Sequence, residues 1–279
     1  MKLLDGNKVK KKILTDLKKE LRIIDKKLGL AVIQIGNDPA SDIYLKQKKK
    51  MAKELNYNFK HYHLSDTVEE YVVLEMIKFL NMDDSIDGIL VQMPIPNHLN
   101  IKNIQNQIDS RKDVDGLSDV NIGKLVQGID SLIPCTPKGI IDMLNYYNIK
   151  LSGKNVTIIG RSDLVGKPLV NLMTNKDATV TLCHSKTNNL KDYTKLADIL
   201  IVAIGKPNFI TNEYIKEGAV VIDVGINRLD DGTLCGDVNF EDVKDKTSYI
   251  TPVPGGVGQI TVAELGKNIY KAYMLKKQK

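Results

Sequence analysis

Short apolar runs alternate with helical periodicity along the first half of the chain, and that alternation most narrows what the chain can fold into. Residues 30–35 (LAVIQI) read as a strand closed by Gly36-Asn37-Asp38-Pro39, and Ser41 then stands at the N-cap of a helix running to about Asn56. Residues 59–64, 67–80 and 86–92 continue as strand, helix and strand. Strands separated by helices imply a parallel sheet with crossover helices. The run Gly88-Ile89-Leu90-Val91-Gln92 ends in Met93-Pro94-Ile95-Pro96, whose prolines stop the strand and leave Gln92 near its carboxyl end. Open α/β sheets bind ligands at that end.

A second alternating series follows a change of texture around residues 132–136. Pro134-Cys135-Thr136-Pro137 starts a helix through about Tyr147, and residues 154–159, 179–183, 199–203 and 220–224 are short apolar strands, each followed by a loop or helix start. Residues 261–275 give a final amphipathic helix, expected to pack back on the first domain. The length of 279 residues suits two such α/β units. The boundaries expected are 1–133 for an N-terminal α/β domain joined by the C-terminal helix 261–279, and 134–260 for a second domain.

Composition excludes several classes of function. A formal charge of +6 comes from lysines spread along the whole length, without the basic stripe interleaved with aromatics that binds nucleic acid. The N-terminal MKLLDGNKVKKKIL has no signal-peptide core, and no apolar run approaches membrane-spanning length. Cys135, Cys183 and Cys235 are odd in number and widely spaced, which argues against a disulfide scaffold or thiolate zinc site and fits a reducing cytoplasm. His61 and His63 alternate on one strand but lack the clustered carboxylate that would complete a metal site, so no metal is expected.

After the strand Val156-Thr157-Ile158-Ile159 comes Gly160-Arg161-Ser162-Asp163-Leu164-Val165-Gly166-Lys167-Pro168. A glycine directly after a strand lets the backbone turn tightly beneath a phosphate, and Pro168 suits the first turn of a helix whose N–H groups can face it. Ser162 holds the second glycine position of GxGxxG, so the pattern also fits a plain strand-to-helix turn. The next strand runs Val180-Thr181-Leu182-Cys183-His184-Ser185-Lys186. It has no carboxylate to bind a ribose 2′-hydroxyl, whereas Arg161, Ser185 and Lys186 could bind a 2′-phosphate, which points to NADP rather than NAD.

Ten segments in order, GNDPASDIYLKQKKK, DGILVQMPIP, KDVDG, PCTPKG, GRSDLVGKP, ATVTLCHSKT, ADILIVAIGKP, GAVVIDVGIN, GDV and TPVPGGVG, resemble the bifunctional methylenetetrahydrofolate dehydrogenase/methenyltetrahydrofolate cyclohydrolases, and they span nearly the whole chain. The resemblance implies an N-terminal α/β catalytic domain and a C-terminal Rossmann NADP-binding domain with a cleft between them. It implies NADP-dependent oxidation of 5,10-methylenetetrahydrofolate to the methenyl form, then hydrolysis to 10-formyltetrahydrofolate. A homodimer is a further implication; a dehydrogenase with weak or no cyclohydrolase activity is the alternative.

The resemblance also assigns residues. In SDIYLKQKKK, Tyr44 and Lys48 are four apart and share one helix face. Lys48 matches the family's catalytic lysine, Tyr44 the tyrosine that packs on the folate, and Gln92 the glutamine that hydrogen-bonds the lysine. Lys46, Lys49 and Lys50 read as a solvated face. Asp115 matches the aspartate that anchors the pterin, while Asp113 reads as an Asx turn before Gly116. Gly160, Arg161 and Ser162 match the dinucleotide-binding GRS, with Ser185 and Ile226 at further cofactor contacts. Pro252, Gly255 and Gly256 belong to a glycine-rich loop that would line the substrate cleft or serve as a structural turn. Leu117-Ser118 stands where Phe-His is common in the family, Ser110 where a proline often precedes KDVDG, and Gln259-Ile260 where Pro-Met is usual.

Overall fold

The computed structural model describes residues 1–277, without the side chains of Pro39 and Ala40. Two compact units make up the chain: residues 12–135 with 262–279, and residues 1–11 with 136–261. The protein is α/β throughout, with a three-stranded parallel sheet in the first of these units and a six-stranded parallel sheet in the second.

The three-stranded sheet has β2 (Gly29–Ile35) at its centre, flanked by β3 (Asn58–Leu64) and β4 (Gly88–Gln92). All seven residues of β2 are buried, which is why it reads as an unbroken apolar run rather than an alternating one. Two crossover helices join these strands, α2 (Pro39–Glu54) between β2 and β3 and α3 (Glu70–Met82) between β3 and β4. Ala31, Ile33, Val73, Ile77, Leu80, Ile89 and Ile104 form the core between sheet and helices.

Helix α2 starts earlier than the sequence pattern indicates. Asp38, not Ser41, is its N-cap, its carboxylate accepting the Ser41 backbone N–H at 2.8 Å, while the Ser41 hydroxyl donates to the Met93 carbonyl at 3.0 Å. Asp38 and Ser41 are both capping residue types, and the aspartate takes the role because its carboxylate reaches the N–H three residues on. The chain leaves α2 through Asn56, whose positive φ of 59° is a conformation that asparagine tolerates.

Lys112 carries an unexpected structural task. Its side chain is 2% exposed, and its ammonium donates to the carbonyls of Leu80, Asn81 and Asp83 at 2.9, 2.7 and 2.9 Å. These carbonyls lie at the carboxyl end of α3, where backbone acceptors lack partners and the helix dipole is negative. Burial lowers the pKa of Lys112, but the three acceptors compensate the desolvated charge.

The six-stranded sheet has the order β1-β11-β8-β7-β5-β6. Its strands are β1 (Lys2–Leu3), β5 (Asn155–Ile159), β6 (Thr179–Cys183), β7 (Ile199–Val202), β8 (Val220–Asp223) and β11 (Tyr249–Ile250). Strand order reverses between β5 and β7, producing the crevice at which doubly wound sheets bind dinucleotides. A two-stranded ribbon of β9 (Asn227–Arg228) and β10 (Leu234–Cys235) follows β8. Helix α6 (Cys135–Tyr146) leads into this unit, α7 (Gly166–Thr174) follows β5, and α10 (Gly258–Lys277) closes the chain. No helix among the described residues is long and apolar enough to cross a membrane.

Replacing Lys112 by methionine keeps the aliphatic stem but strips three carbonyls at the end of α3 of their donor. Urea unfolding is expected to show a loss of about 2–3 kcal/mol, concentrated in early exchange of the last-turn amides of α3.

Candidate functional site

The carboxyl end of the three-stranded sheet gathers most of the expected folate-side residues. Lys48, in the middle of α2, is half-buried, and its Nζ donates to Gln92 Oε1 at 2.6 Å. Gln92 is 5% exposed, and its Nε2 donates to the Met93 carbonyl at 2.7 Å, so the amide is fixed with its oxygen toward the lysine. Both readings of Gln92, a strand-end amide bonded to backbone and a partner of Lys48, hold together. Tyr44 lies one turn before Lys48 on the same face of α2 and is 41% exposed. Lys46, Lys49 and Lys50 are exposed.

Asp115 sits in the loop that follows the short helix Ile101–Gln107, held by its neighbours. Asp113 accepts the backbone N–H of Gly116 and of Ser118 at 3.0 and 2.8 Å and the Asn121 side-chain amide at 2.9 Å, which makes it the organiser of the turn. Gly116 has φ 68°, and a Cβ there would overlap the backbone at residues 132–134. Asn268 on α10 donates to the carbonyls of Val114 and Ile133 at 2.9 and 2.8 Å, bracing the residues that precede Asp115 and Cys135.

These groups set one another's protonation. Burial pulls the Lys48 amine below its ordinary pKa, opposed chiefly by the negative charge of Asp115. Burial raises the Asp115 carboxyl to about 6, with Lys48 opposing and Asp113 adding to the rise. Amine and carboxyl are thus drawn toward one another on the pH scale, as needed for proton exchange near neutrality. Burial also pushes the Cys135 thiol well above its usual value, which makes it inert as a nucleophile.

At the six-stranded sheet, Gly160 follows β5 with φ 119°, and a Cβ on it would overlap the Ala203 carbonyl. Gly166, the first residue of α7, is pressed against the Gly160 carbonyl in the same way. Arg161, Ser162 and Ser185 are exposed along this turn and after β6, and the Ser162 hydroxyl accepts the Val165 N–H at 3.2 Å. His184 accepts the Lys186 N–H on Nδ1 at 3.1 Å, so it shapes the turn that presents Ser185. Ile226 is 50% exposed just after β8. This open turn of small and cationic residues, with no carboxylate after β6, fits a dinucleotide bearing a 2′-phosphate.

The glycine-rich loop packs closely against Gly6. Gly255, at φ 108°, accepts the Gly6 N–H on its carbonyl at 2.8 Å, a Cβ on Gly6 would overlap the Gly256 carbonyl, and a Cβ on Gly256 would overlap the Pro252 carbonyl. Pro252 is half-buried beside them. Two unusual residues have local tasks: Ser118 N-caps α5 (Asp119–Val126), and Ile260 is fully buried in α10. His61 and His63 bond the Gln34 side chain and the Gly36 carbonyl at 3.0 and 2.9 Å.

Lys112 and Asn268 are the supporting residues that pattern reading missed. Asn268 left a trace in the sequence, a polar residue on the apolar stripe of the last helix formed by Val262, Leu265, Ile269 and Ala272. Lys112 left none, because a lysine before Asp113 reads as solvated.

Residues 4–115 match the family model of the tetrahydrofolate dehydrogenase/cyclohydrolase catalytic domain, and residues 134–277 match that of its NAD(P)-binding domain. The bifunctional protein FolD of Bacillus subtilis is 48% identical over 273 residues, covering 97% of this chain and 96% of the relative. Among solved structures, the bifunctional FolD methylenetetrahydrofolate dehydrogenase/cyclohydrolase of Campylobacter jejuni superposes with a TM-score of 0.96 at 44% identity, over 99% of each chain. The Trypanosoma brucei FolD dehydrogenase-cyclohydrolase, crystallised with NADP cofactor and an inhibitor, gives 0.93 at 33% identity over 99% of this chain and 98% of that one.

Asp115 yields a stability prediction. Its folded pKa lies above the unfolded 3.8, so the fold favours the protonated form, and stability falls as pH rises from about 4 to about 6. In the unliganded protein Asp115→Asn should therefore gain about 1–2 kcal/mol at pH 7.5, a gain that vanishes near pH 4, as chemical denaturation at the two pH values will show.

Proposed function

The chain belongs to the tetrahydrofolate dehydrogenase/cyclohydrolase family, and on that premise we propose how its own residues divide the labour. It is a bifunctional enzyme that oxidises 5,10-methylenetetrahydrofolate with NADP and hydrolyses the resulting methenyl form to 10-formyltetrahydrofolate. The 2.6 Å bond from the half-buried Lys48 amine to Gln92 carries the assignment of roles.

Lys48 is the proton-exchanging residue of the hydrolytic step. Burial lowers the pKa of this amine and so favours its unprotonated form, which can take a proton from the water that attacks the methenyl carbon. Gln92 fixes the amine's direction. Asp115 anchors the pterin, since a carboxylate can accept two parallel bonds from an amide-like N–H and a neighbouring amino group. Tyr44, exposed on the same helix face, offers a ring for the folate to pack on.

Bound NADP⁺ would supply the acceptor for the hydride leaving the one-carbon bridge. Gly160 with Arg161 and Ser162 would cradle its phosphates, Ser185 and Arg161 its 2′-phosphate, and Ile226 would pack on it. Pro252, Gly255 and Gly256 would shape a substrate-lining loop, the role that the resemblance gives them. The resemblance also favours a homodimer, testable by light scattering, and the odd number and wide spacing of the cysteines fit a reducing cytoplasm.

Purified protein given methylenetetrahydrofolate should reduce NADP⁺ and accelerate decay of added methenyl substrate; NADP⁺ reduction without accelerated decay would leave only the dehydrogenase. Lys48→Gln is expected to lose cyclohydrolase activity by about a hundredfold or more while NADP⁺ affinity is kept, and unchanged hydrolysis would remove Lys48 from the mechanism. Asp115→Ala should raise the folate KM and spare nucleotide affinity, whereas parallel loss of both would indicate damaged folding.

A further inference from the structure

Asp237 is fully buried, yet among the described residues no lysine or arginine side chain is paired with its carboxylate. Four N–H donors converge on it instead. Oδ2 accepts the backbone N–H of Ile204 and Gly205 at 2.7 and 3.0 Å, and Oδ1 accepts the Lys206 N–H and the Asn227 side-chain amide at 2.8 and 2.9 Å. Residues 204–206 form the turn after β7, and Asn227 opens the ribbon after β8. One side chain therefore binds two turns at the carboxyl edge of adjacent parallel strands.

The surrounding backbone is shaped for this arrangement. Gly225 leaves room for the Asp237 carboxylate, since a Cβ there would overlap it. A second buried carboxylate, Asp223 at the end of β8, accepts the N–H of Asp237 and Val238 at 3.0 and 2.9 Å and fixes the position from which Asp237 reaches. The chain at 208–210 is laced to the same segment, with Ile210 N–H donating to the Asp237 carbonyl at 2.9 Å. The turn so held starts one residue after Ala203, whose carbonyl abuts Gly160.

Strand order reverses between β5 and β7, so a dinucleotide lying across that crevice has one half over β5 and β6 and the other over β7 and β8. We propose that Asp237 is a cofactor-positioning residue: its carboxylate locks the turns after β7 and β8 into one rigid wall for the nicotinamide half of the dinucleotide. The inference rests on the reading that the six-stranded sheet holds NADP. Asp237 touches neither substrate nor cofactor; it acts through the peptide groups of 204–206 and through Asn227, next to the exposed Ile226.

Both oxygens are needed as acceptors. An asparagine would turn an NH₂ group toward two N–H donors whichever way it rotated, so Asp237→Asn should release one of the two turns. Asn227→Ala removes one donor from a half-exposed position and tests the same clamp more gently.

The decisive experiment titrates NADP⁺ and NAD⁺ against the unaltered protein, Asp237→Asn and Asn227→Ala, and assays both reactions alongside thermal melts. Asp237→Asn is expected to raise the Kd and KM for NADP⁺ by about tenfold or more, and Asn227→Ala by about threefold. The folate KM and methenyl hydrolysis should stay within about twofold, because Lys48 and Gln92 belong to the other sheet. A Kd for NADP⁺ unchanged in folded Asp237→Asn would overturn the proposal, as would a loss of hydrolysis in step with the loss of affinity, which is what mere fold support predicts. Should Asp237→Asn not fold, an unchanged Kd in Asn227→Ala overturns it equally. Absence of methylene turnover in the unaltered protein would instead sink the enzymatic reading, and the nucleotide titrations would still decide the clamp.

Discussion

Holding an amine and a carboxyl group out of water near one another is the constraint around which the three-stranded unit is built. Burial disfavours the charged form of each, Lys48 and Asp115, while each favours the charged form of the other. Neither group could keep this balance on a mobile support, because a small displacement would rehydrate one of them. The scaffold is correspondingly stiff. The fully buried β2 anchors β4, β4 ends in Gln92, and the Gln92 amide is pinned between Lys48 and a backbone carbonyl. The loop that carries Asp115 is tied by Asp113 within, by Lys112 to the end of α3, and by Asn268 from the last helix.

The six-stranded unit works by a different physical device. Its distinctive positions are glycines at which backbones meet too closely for a side chain, Gly160 against Ala203 and Gly166 against Gly160. Close backbone approach exposes rows of N–H groups, which suit the negative charge of phosphates. Buried carboxylates at Asp223 and Asp237 use the same donor type to fix the turns themselves. One unit thus presents tuned side chains, and the other presents tuned backbone.

Much of this was legible without coordinates. Apolar runs marked β2, β4 and the central strands of the larger sheet, because a strand covered on both faces must be continuously apolar. Tyr44, Lys48, Gln92 and Asp115 could be singled out because the matching segments carry them in order. Helix boundaries were less legible: Asp38 and Ser41 are both good caps, and only the fold selects between them by using the Ser41 hydroxyl for Met93. The two-residue β1 was not legible at all, since Lys2 and Leu3 become a strand only by pairing with Tyr249 and Ile250 at the far end of the chain.

The sequence by itself determined the alternation of strands and helices, the two α/β sheets, and the chemical types available to the sites, because periodicity and local turn chemistry act over a few residues. Tertiary structure alone decided which polar groups lose their water. Lys48 and Lys50 belong to one lysine run, yet only Lys48 is half-buried against Gln92 while Lys50 stays exposed. Lys112 becomes the cap of a helix thirty residues away, and Asp237 the tie between two turns, through contacts that span the chain. Desolvation depends on what packs around a group in space, and sequence neighbours do not carry that information.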